Sequence, residues 1–230
     1  MKIIELYGCP GAGKSTVAAK TVEKLRAAGV PCADYEAVYF GGNHGRAARL
    51  RRAAGALLPP GRWGLNRKIF TAARALGAER KYAVSLAVLC ARLERARRQG
   101  CALAVMEEGV VQFLTSLSHD RPFADCDQLA SLARAIQARV PDIHPVPCEL
   151  EIGENLRRLR DRGDQKWTRF LRAGEARGDG KDPLREMLAL KAENLRTAAS
   201  FFPAGAPLDL GEAAEANAEK LAGRILRDSN

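Results

Sequence analysis

Apolar positions in this chain fall into two kinds of run that take turns from one end to the other. Short β-prone runs lie near residues 2–7, 30–35, 101–106, 147–152 and 207–210. The first has Ile3, Ile4 and Leu6 as its apolar members, and Cys101 to Met106 is apolar throughout, as a buried parallel strand requires. Between these runs the spacing is helical. Thr16 to Leu25 carries Val17 and Leu25 on one side. Arg46 to Gln99 reads as helix with breaks at Pro59-Pro60-Gly61 and near Gly77. Its three stripes are Leu50, Ala53, Ala54, Leu57 and Leu58; then Ile69, Ala72, Ala73 and Leu76; then Tyr82, Leu86, Leu89, Cys90 and Leu93. Further helices are predicted from Val110, over Asp127 to Val140, from near Leu156 with Asn155 as N-cap, from Pro183, and over Glu212 to Arg227. Strands alternating with helices predict an α/β fold: a five-stranded parallel sheet flanked by helices, with the ligand at the strands' C-terminal ends.

Composition narrows this little, and charge narrows it more. The 230 residues suit a single domain, 1–230, able to bury a real core. No apolar run is long enough to span a bilayer, and with β structure starting at residue 2 no export segment is expected. Six scattered cysteines without a CxxC pair read as free thiols in a reducing cytoplasm. Three separated histidines predict no structural zinc site. The net charge is +10, and it is concentrated: residues 42–100 hold fourteen Lys and Arg against Glu79 and Glu94 alone. Most of these arginines fit a solvated helix face, and the segment as a whole reads as a basic helical insertion after the second strand, able to fold over the ligand edge.

Chemistry enters between the first strand and the first helix. Gly8-Cys9-Pro10-Gly11-Ala12-Gly13-Lys14-Ser15, followed by Thr16, fits the phosphate-loop template in its strand–loop–helix setting. Glycines let backbone N–H groups close on an anion, and the helix aims its positive end at the same point. Lys14 supplies a charge for β- and γ-phosphates and Ser15 a hydroxyl for Mg²⁺, so ATP and Mg²⁺ are the expected cofactors. Glu107-Glu108-Gly109 tips the third strand, where a carboxylate holds Mg²⁺ or accepts a proton. Asp34 and Glu36 leave the second strand beside the loop, either facing the ligand or as solvated carboxylates. Gln112 is the one glutamine beside these strand tips placed to meet an acceptor or a water. Residues 163–182, polar and rich in cations, read as a lid.

The pattern resembles the phosphate-loop kinases of nucleosides, nucleotides and other small molecules over nearly the whole chain. Three stretches carry the resemblance: Gly8 to Ser15; Glu149-Leu150-Glu151-Ile152 followed by Arg158-Leu159-Arg160-Asp161-Arg162-Gly163; and Pro207 to Glu212 with its helix. In deoxynucleoside and thymidylate kinases a strand is likewise followed by a helix with arginines four apart, then a lid. The match implies that Arg158 and Arg162 face the phosphoryl group. Glu36-Ala37-Val38 is similar to the Glu-Pro-Val element whose Glu takes the acceptor's proton, which implies Glu36 as base. Where that family has Glu-Arg or Asp-Arg after the third strand, this chain has Glu107-Glu108-Gly109.

The resemblance implies an ATP-dependent phosphotransferase of P-loop kinase type. Lys14, Glu36, Glu107, Arg158 and Arg162 would be catalytic, Gly8 to Thr16 would bind ATP, and Ser15, Glu107 and Glu108 would serve the metal. Asp34, Glu36, Glu108 and Gln112 would meet the acceptor. The expected partner is a small, anionic phosphoryl acceptor, a nucleoside or nucleotide first, with an antibiotic or sugar as the alternative. The protein would be a monomer or a homodimer without a membrane span. Two other classes stay open. A nucleic-acid 5′-end kinase or nucleic-acid-dependent ATPase would use the basic segment as a track, although aromatics make up only 6% of residues. A nucleotide-binding switch would lack use for the arginine-bearing helix.

Overall fold

In Lys2–Tyr7, strand β1, successive side chains part to two faces. Ile3 and Tyr7 enter one apolar cluster, and Ile4 and Leu6 enter another. This period of two is what a strand covered on both sides needs. The computed structural model describes residues 1–42, 44–118, 121–123, 125–162 and 182–228. Helix α1 (Lys14–Ala27) leads to β2 (Ala33–Asp34). Helices α2 (Arg46–Leu57), α3 (Trp63–Ala75) and α4 (Arg80–Arg98) lead to β3 (Leu103–Met106). Helices α5 (Val110–Ser116) and α6 (Cys126–Gln137) precede β4 (Ile143–Glu149). Helices α7 (Ile152–Asp161) and α8 (Pro183–Ala199), strand β5 (Leu208–Asp209) and helix α9 (Ala214–Arg227) complete the described chain. The five strands form one parallel sheet in the order β2-β3-β1-β4-β5. The α/β architecture expected from the alternation is the one observed.

Two apolar layers hold the sheet. On one face, Ile69, Leu86, Leu89, Leu114, Leu132 and Leu195 bring α3, α4, α5, α6 and α8 against β1 and β3. On the other, Val17, Val22 and Leu25 of α1 and Leu221 and Ile225 of α9 cover Ile4, Leu6 and Val105. Helices α3 and α4 are therefore part of the central core; α2 is seated on α4 through Ala56, Val88 and Ala91, and α7 packs on α8 through Leu156, Leu159, Leu184 and Leu188. Among the described residues no helix is long and apolar enough to cross a membrane.

Several boundaries differ from expectation for physical reasons. The second strand is only Ala33–Asp34. The Asp34 carboxylate accepts the Ala37 N–H at 2.7 Å and turns the chain into a single π-helical turn, Glu36–Phe40, with the Tyr35 and Tyr39 rings stacked at 5.2 Å. The fourth strand begins at Ile143 and not at Pro147. Pro145 points its carbonyl to the β5 flank, where it accepts from Gly205, so its missing N–H faces a side that β5 barely pairs. Helix α7 begins at Ile152, capped by Glu151, whose carboxylate accepts the Glu154 N–H at 2.9 Å; Asn155 is buried within the helix and is not its cap. On α2, Leu50 and Leu58 are 71% and 70% exposed while Ala48 and Ala56 are buried. Small residues let α2 approach α4 closely, and the large leucines are left outside. Residues 163–181 of the expected lid, with Lys166, Arg169, Arg172, Arg177 and Lys181, lie outside the described residues. Asp182 is described and caps α8, accepting the N–H groups of Leu184 and Arg185.

Candidate phosphate-loop site

The loop between β1 and α1 has a backbone that only its glycines permit. A Cβ at Gly8 would sit 2.5 Å from the Cys148 carbonyl oxygen of β4. Gly13 has φ +103°, a left-handed conformation open to glycine, at the residue that starts α1. No side chain among the described residues caps α1, so its first N–H groups and positive end face the loop's hollow. Lys14 Nζ donates to the Gly8 and Cys9 carbonyls at 2.8 and 3.0 Å, which folds the lysine back over the loop. Burial lowers its pKa, and the Cys148, Cys9 and Glu108 side chains pull it back up. Ser15 and Thr16 are exposed on the first turn of α1, Pro10 is half-buried, and Ala12 is buried. The Cys9 thiol donates to the Leu188 carbonyl at 3.5 Å, and burial raises its pKa.

A cleft of about 550 Å³ opens beside the loop. Gly11, Gly13 and Thr16 form one wall, Arg158 and Arg162 the other, and Leu210 to Ala214 the end. The loop, the arginine-bearing helix and the chain end thus share one cavity. Arg158 spans it: Nη1 donates to the Ala12 carbonyl at 3.0 Å, Nη2 to the Leu210 carbonyl at 3.2 Å, and Nε to Glu154 at 2.8 Å. A guanidinium committed in this way positions the loop against the β5 exit as well as adding charge. Arg162, at the end of α7, lines the same cleft.

The acidic residues sit at the tips of β2 and β3. Glu107 is half-buried; burial raises its pKa, with Glu108 and Asp34 adding to the rise and Lys14 opposing it. Glu107, Asp34 and Lys14 are therefore close enough to feel one another's charge. Glu108 is exposed and near the Tyr35 hydroxyl, whose pKa is raised first by burial and then by that carboxylate. Asp34 is committed to the Ala37 N–H and to Arg26. Glu36 stands further out, half-exposed, 2.7 Å from His44 Nε2. Gln112 gives its backbone N–H to Glu5 and keeps its side-chain oxygen buried without a partner among the described residues. The basic helices contribute Arg92, which donates to the Val38 carbonyl at 2.8 Å; none of their arginines lines the cleft beside the loop. Among the described residues no three His, Cys, Asp or Glu side chains gather into a metal cage. The hydroxyl of Ser15 and the carboxylates of Glu107 and Glu108 are hard oxygen donors of the kind that suits Mg²⁺ shared with phosphate.

Three residues at this site escaped the sequence pattern. Glu5, fully buried in β1, accepts the N–H groups of Val111 and Gln112 at 3.0 and 2.9 Å and so caps α5 from another strand. A Cβ at Gly109 would lie 2.5 Å from the Glu5 carboxyl, which explains the glycine after Glu108. Burial drives Glu5 up to about 7 against the pull of these amides. Lys191 of α8 acts electrostatically on both Lys14 and Cys9, and Arg196 lines a second cavity of about 350 Å³ with Tyr7, Cys9 and Asn155. The available signals were a carboxylate among the apolar residues of β1 and a lysine on the apolar stripe Leu184, Leu188, Lys191, Leu195.

Fold and site together define an α/β domain built around a phosphate loop. No protein-family sequence model matches the chain, and no curated protein matches it. Among solved structures, a deoxyadenosine kinase from M. mycoides with bound dATP is similar at 13% sequence identity, covering 98% of this chain and 99% of that one, with a TM-score of 0.45.

Proposed function

We propose that this protein is an ATP-dependent kinase that moves the γ-phosphoryl group to a small molecule, with a nucleoside or nucleotide as the favoured acceptor. One observation carries the proposal: a phosphate loop whose glycines are used as glycines shares its cleft with Arg158 and Arg162. Loop amides, the α1 N-terminus and Lys14 would hold the triphosphate, with Lys191 adding charge. Ser15, with Glu107 or Glu108, would hold the Mg²⁺ that neutralises charge on the transferring group. Arg162 would stabilise charge developing on the phosphoryl oxygens, and Arg158 would keep loop and β5 exit in register. Glu36 would take the acceptor's proton, with His44 orienting it until the acceptor arrives. Asp34, Glu108 and Gln112 would complete the acceptor side. Phosphoryl transfer asks the protein for positioning and electrostatics, and these groups supply both.

The test is ATP consumption by the purified protein with a panel of nucleosides, nucleoside monophosphates, aminoglycosides, sugars and a 5′-hydroxyl oligonucleotide. One small molecule should raise turnover well above the acceptor-free rate. Glu36→Gln should lower that turnover by about 10²-fold or more while leaving ATP affinity unchanged. Stimulation by the oligonucleotide alone, or by nothing, would overturn the proposal.

A further inference from the structure

Away from the phosphate loop, α2 and α4 enclose a second cleft of about 590 Å³. Its charge is one-sided. Arg51 and Arg52 enter from α2, Arg92, Arg95 and Arg98 from α4, and Arg139 from the segment before β4. Arg62 forms part of the wall, and Glu94 is the single carboxylate among the described lining residues. Arg98 and Arg139 precede β3 and β4, so this end of the cleft lies at the edge where strands begin. The phosphate loop lies at the opposite edge, after Tyr7, and its cleft shares no lining residue with this one.

Arg62 is the telling member. It is 6% exposed, pairs with Glu94 at 3.1 Å through Nη2, and has its Nε buried without a hydrogen-bond partner among the described residues. Burial pulls its pKa down; Glu94 opposes that, while Arg139 and Arg98 add to it. A buried guanidinium with an idle donor is costly unless something accepts from it. Two of its neighbours are held by neutral groups: Arg139 donates to the Gly61 carbonyl and Arg92 to the Val38 carbonyl. These bonds fix the direction of both guanidinium groups without adding negative charge, and Glu94 stays the one carboxylate among the described lining residues. Guanidinium groups converging on a concave space match phosphate oxygens, which accept paired N–H bonds.

We propose that this cleft is a second anion site, separate from the phosphate loop, that takes a compact oligophosphate such as tripolyphosphate or the phosphate chain of a nucleotide. Its confined volume favours a small ligand over a nucleic-acid backbone, and its chemistry requires several phosphate oxygens at once. Arg92 links the site to the turn that carries Glu36, through its bond to Val38.

The test is calorimetric titration of the full chain with tripolyphosphate, and in parallel with ATP and with a 5′-hydroxyl oligonucleotide, at low salt. Four proteins are compared: wild type, Lys14→Ala, and, each made in the Lys14→Ala background, the double variant Arg95→Ala/Arg98→Ala and a charge-matched control, Arg74→Ala/Arg80→Ala. All four arginines are exposed, so neither double variant threatens the core. Tripolyphosphate binding should survive Lys14→Ala, weaken by about tenfold or more in Arg95→Ala/Arg98→Ala, and change by less than about threefold in the control. Hydrogen exchange should show protection over residues 46–62 and 92–99. Loss of all binding in Lys14→Ala would overturn the second site and leave the kinase proposal standing. Equal weakening in both double variants would reduce it to diffuse charge. Binding of an oligonucleotide without tripolyphosphate would make the face a polymer track. In Lys14→Ala, ATP and tripolyphosphate should bind within about threefold of each other, as expected where only the phosphate chain is read, and ATP binding without tripolyphosphate binding would overturn the oligophosphate assignment.

Discussion

The phosphate-loop edge and the helices of residues 42–100 are written into the sequence in different ways. At the loop each position dictates a backbone state: Gly8 lies where any Cβ would strike β4, and Gly13 takes a left-handed φ. In the helical segment the sequence dictates a period and a charge. A period of 3.6 fits more than one face, and the partner chooses among them. Helix α4 meets the sheet and buries its large residues Leu86, Leu89 and Leu93, as its stripe predicts. Helix α2 packs mainly on α4, through alanines, and leaves Leu50 and the following Leu58 in solvent. Motif residues therefore mark a candidate site before packing is known, whereas stripes mark a buried face only after it.

The sharpest way to break this comparison is at Lys14. Lys14→Ala should reduce ATP turnover by about 10³-fold, while Arg95→Ala on the helical segment should change it by less than about threefold, both read from steady-state kinetics. A large loss from Arg95→Ala would move the chemistry onto the basic helices. Stability separates the two helices next. Leu86→Ala should cost about 2–5 kcal/mol by urea denaturation, and Leu50→Ala less than about 0.5 kcal/mol. Comparable costs would mean that α2 buries its leucines in solution.

A subtler effect concerns Glu5. Its pKa is raised by burial to about 7, above the value of 4.5 for a free carboxyl, so the folded state holds this proton more tightly than the unfolded chain does. The stability it contributes is fully present below about pH 4.5 and is lost as pH rises through about 7. Between pH 5 and pH 8 the wild type should lose stability relative to Glu5→Gln, by up to about 3 kcal/mol. A difference between the two proteins that stays constant across that range would contradict the assignment.

Much of the architecture was legible because alternation and buried runs follow from the pleat and the helical turn. The five strands and the helices between them came through; Arg158 and Arg162 line the cleft beside Gly11 and Gly13, and their roles belong to the proposal. What stayed hidden depends on contacts between distant segments. A carboxylate among apolar residues marks Glu5 as unusual, but its role exists only because α5 begins beside β1. Lys191 acts electrostatically on Lys14 from α8, 177 residues further along the chain. The expected fourth strand begins only at Pro147; the observed one runs back past Pro145, whose carbonyl, and hence missing N–H, faces the sparsely paired β5 flank. The Glu36–His44 pair depends on a turn that Asp34 creates by capping Ala37.

The most direct test of the central claim is equilibrium binding of ATP with Mg²⁺ to wild type and Lys14→Ala, with hydrogen exchange reporting where the nucleotide sits. The account predicts saturable binding to wild type, protection over residues 8–16 and 210–214, and loss of that protection in Lys14→Ala. Binding that leaves residues 8–16 unprotected, or protection there that persists in Lys14→Ala, would contradict it.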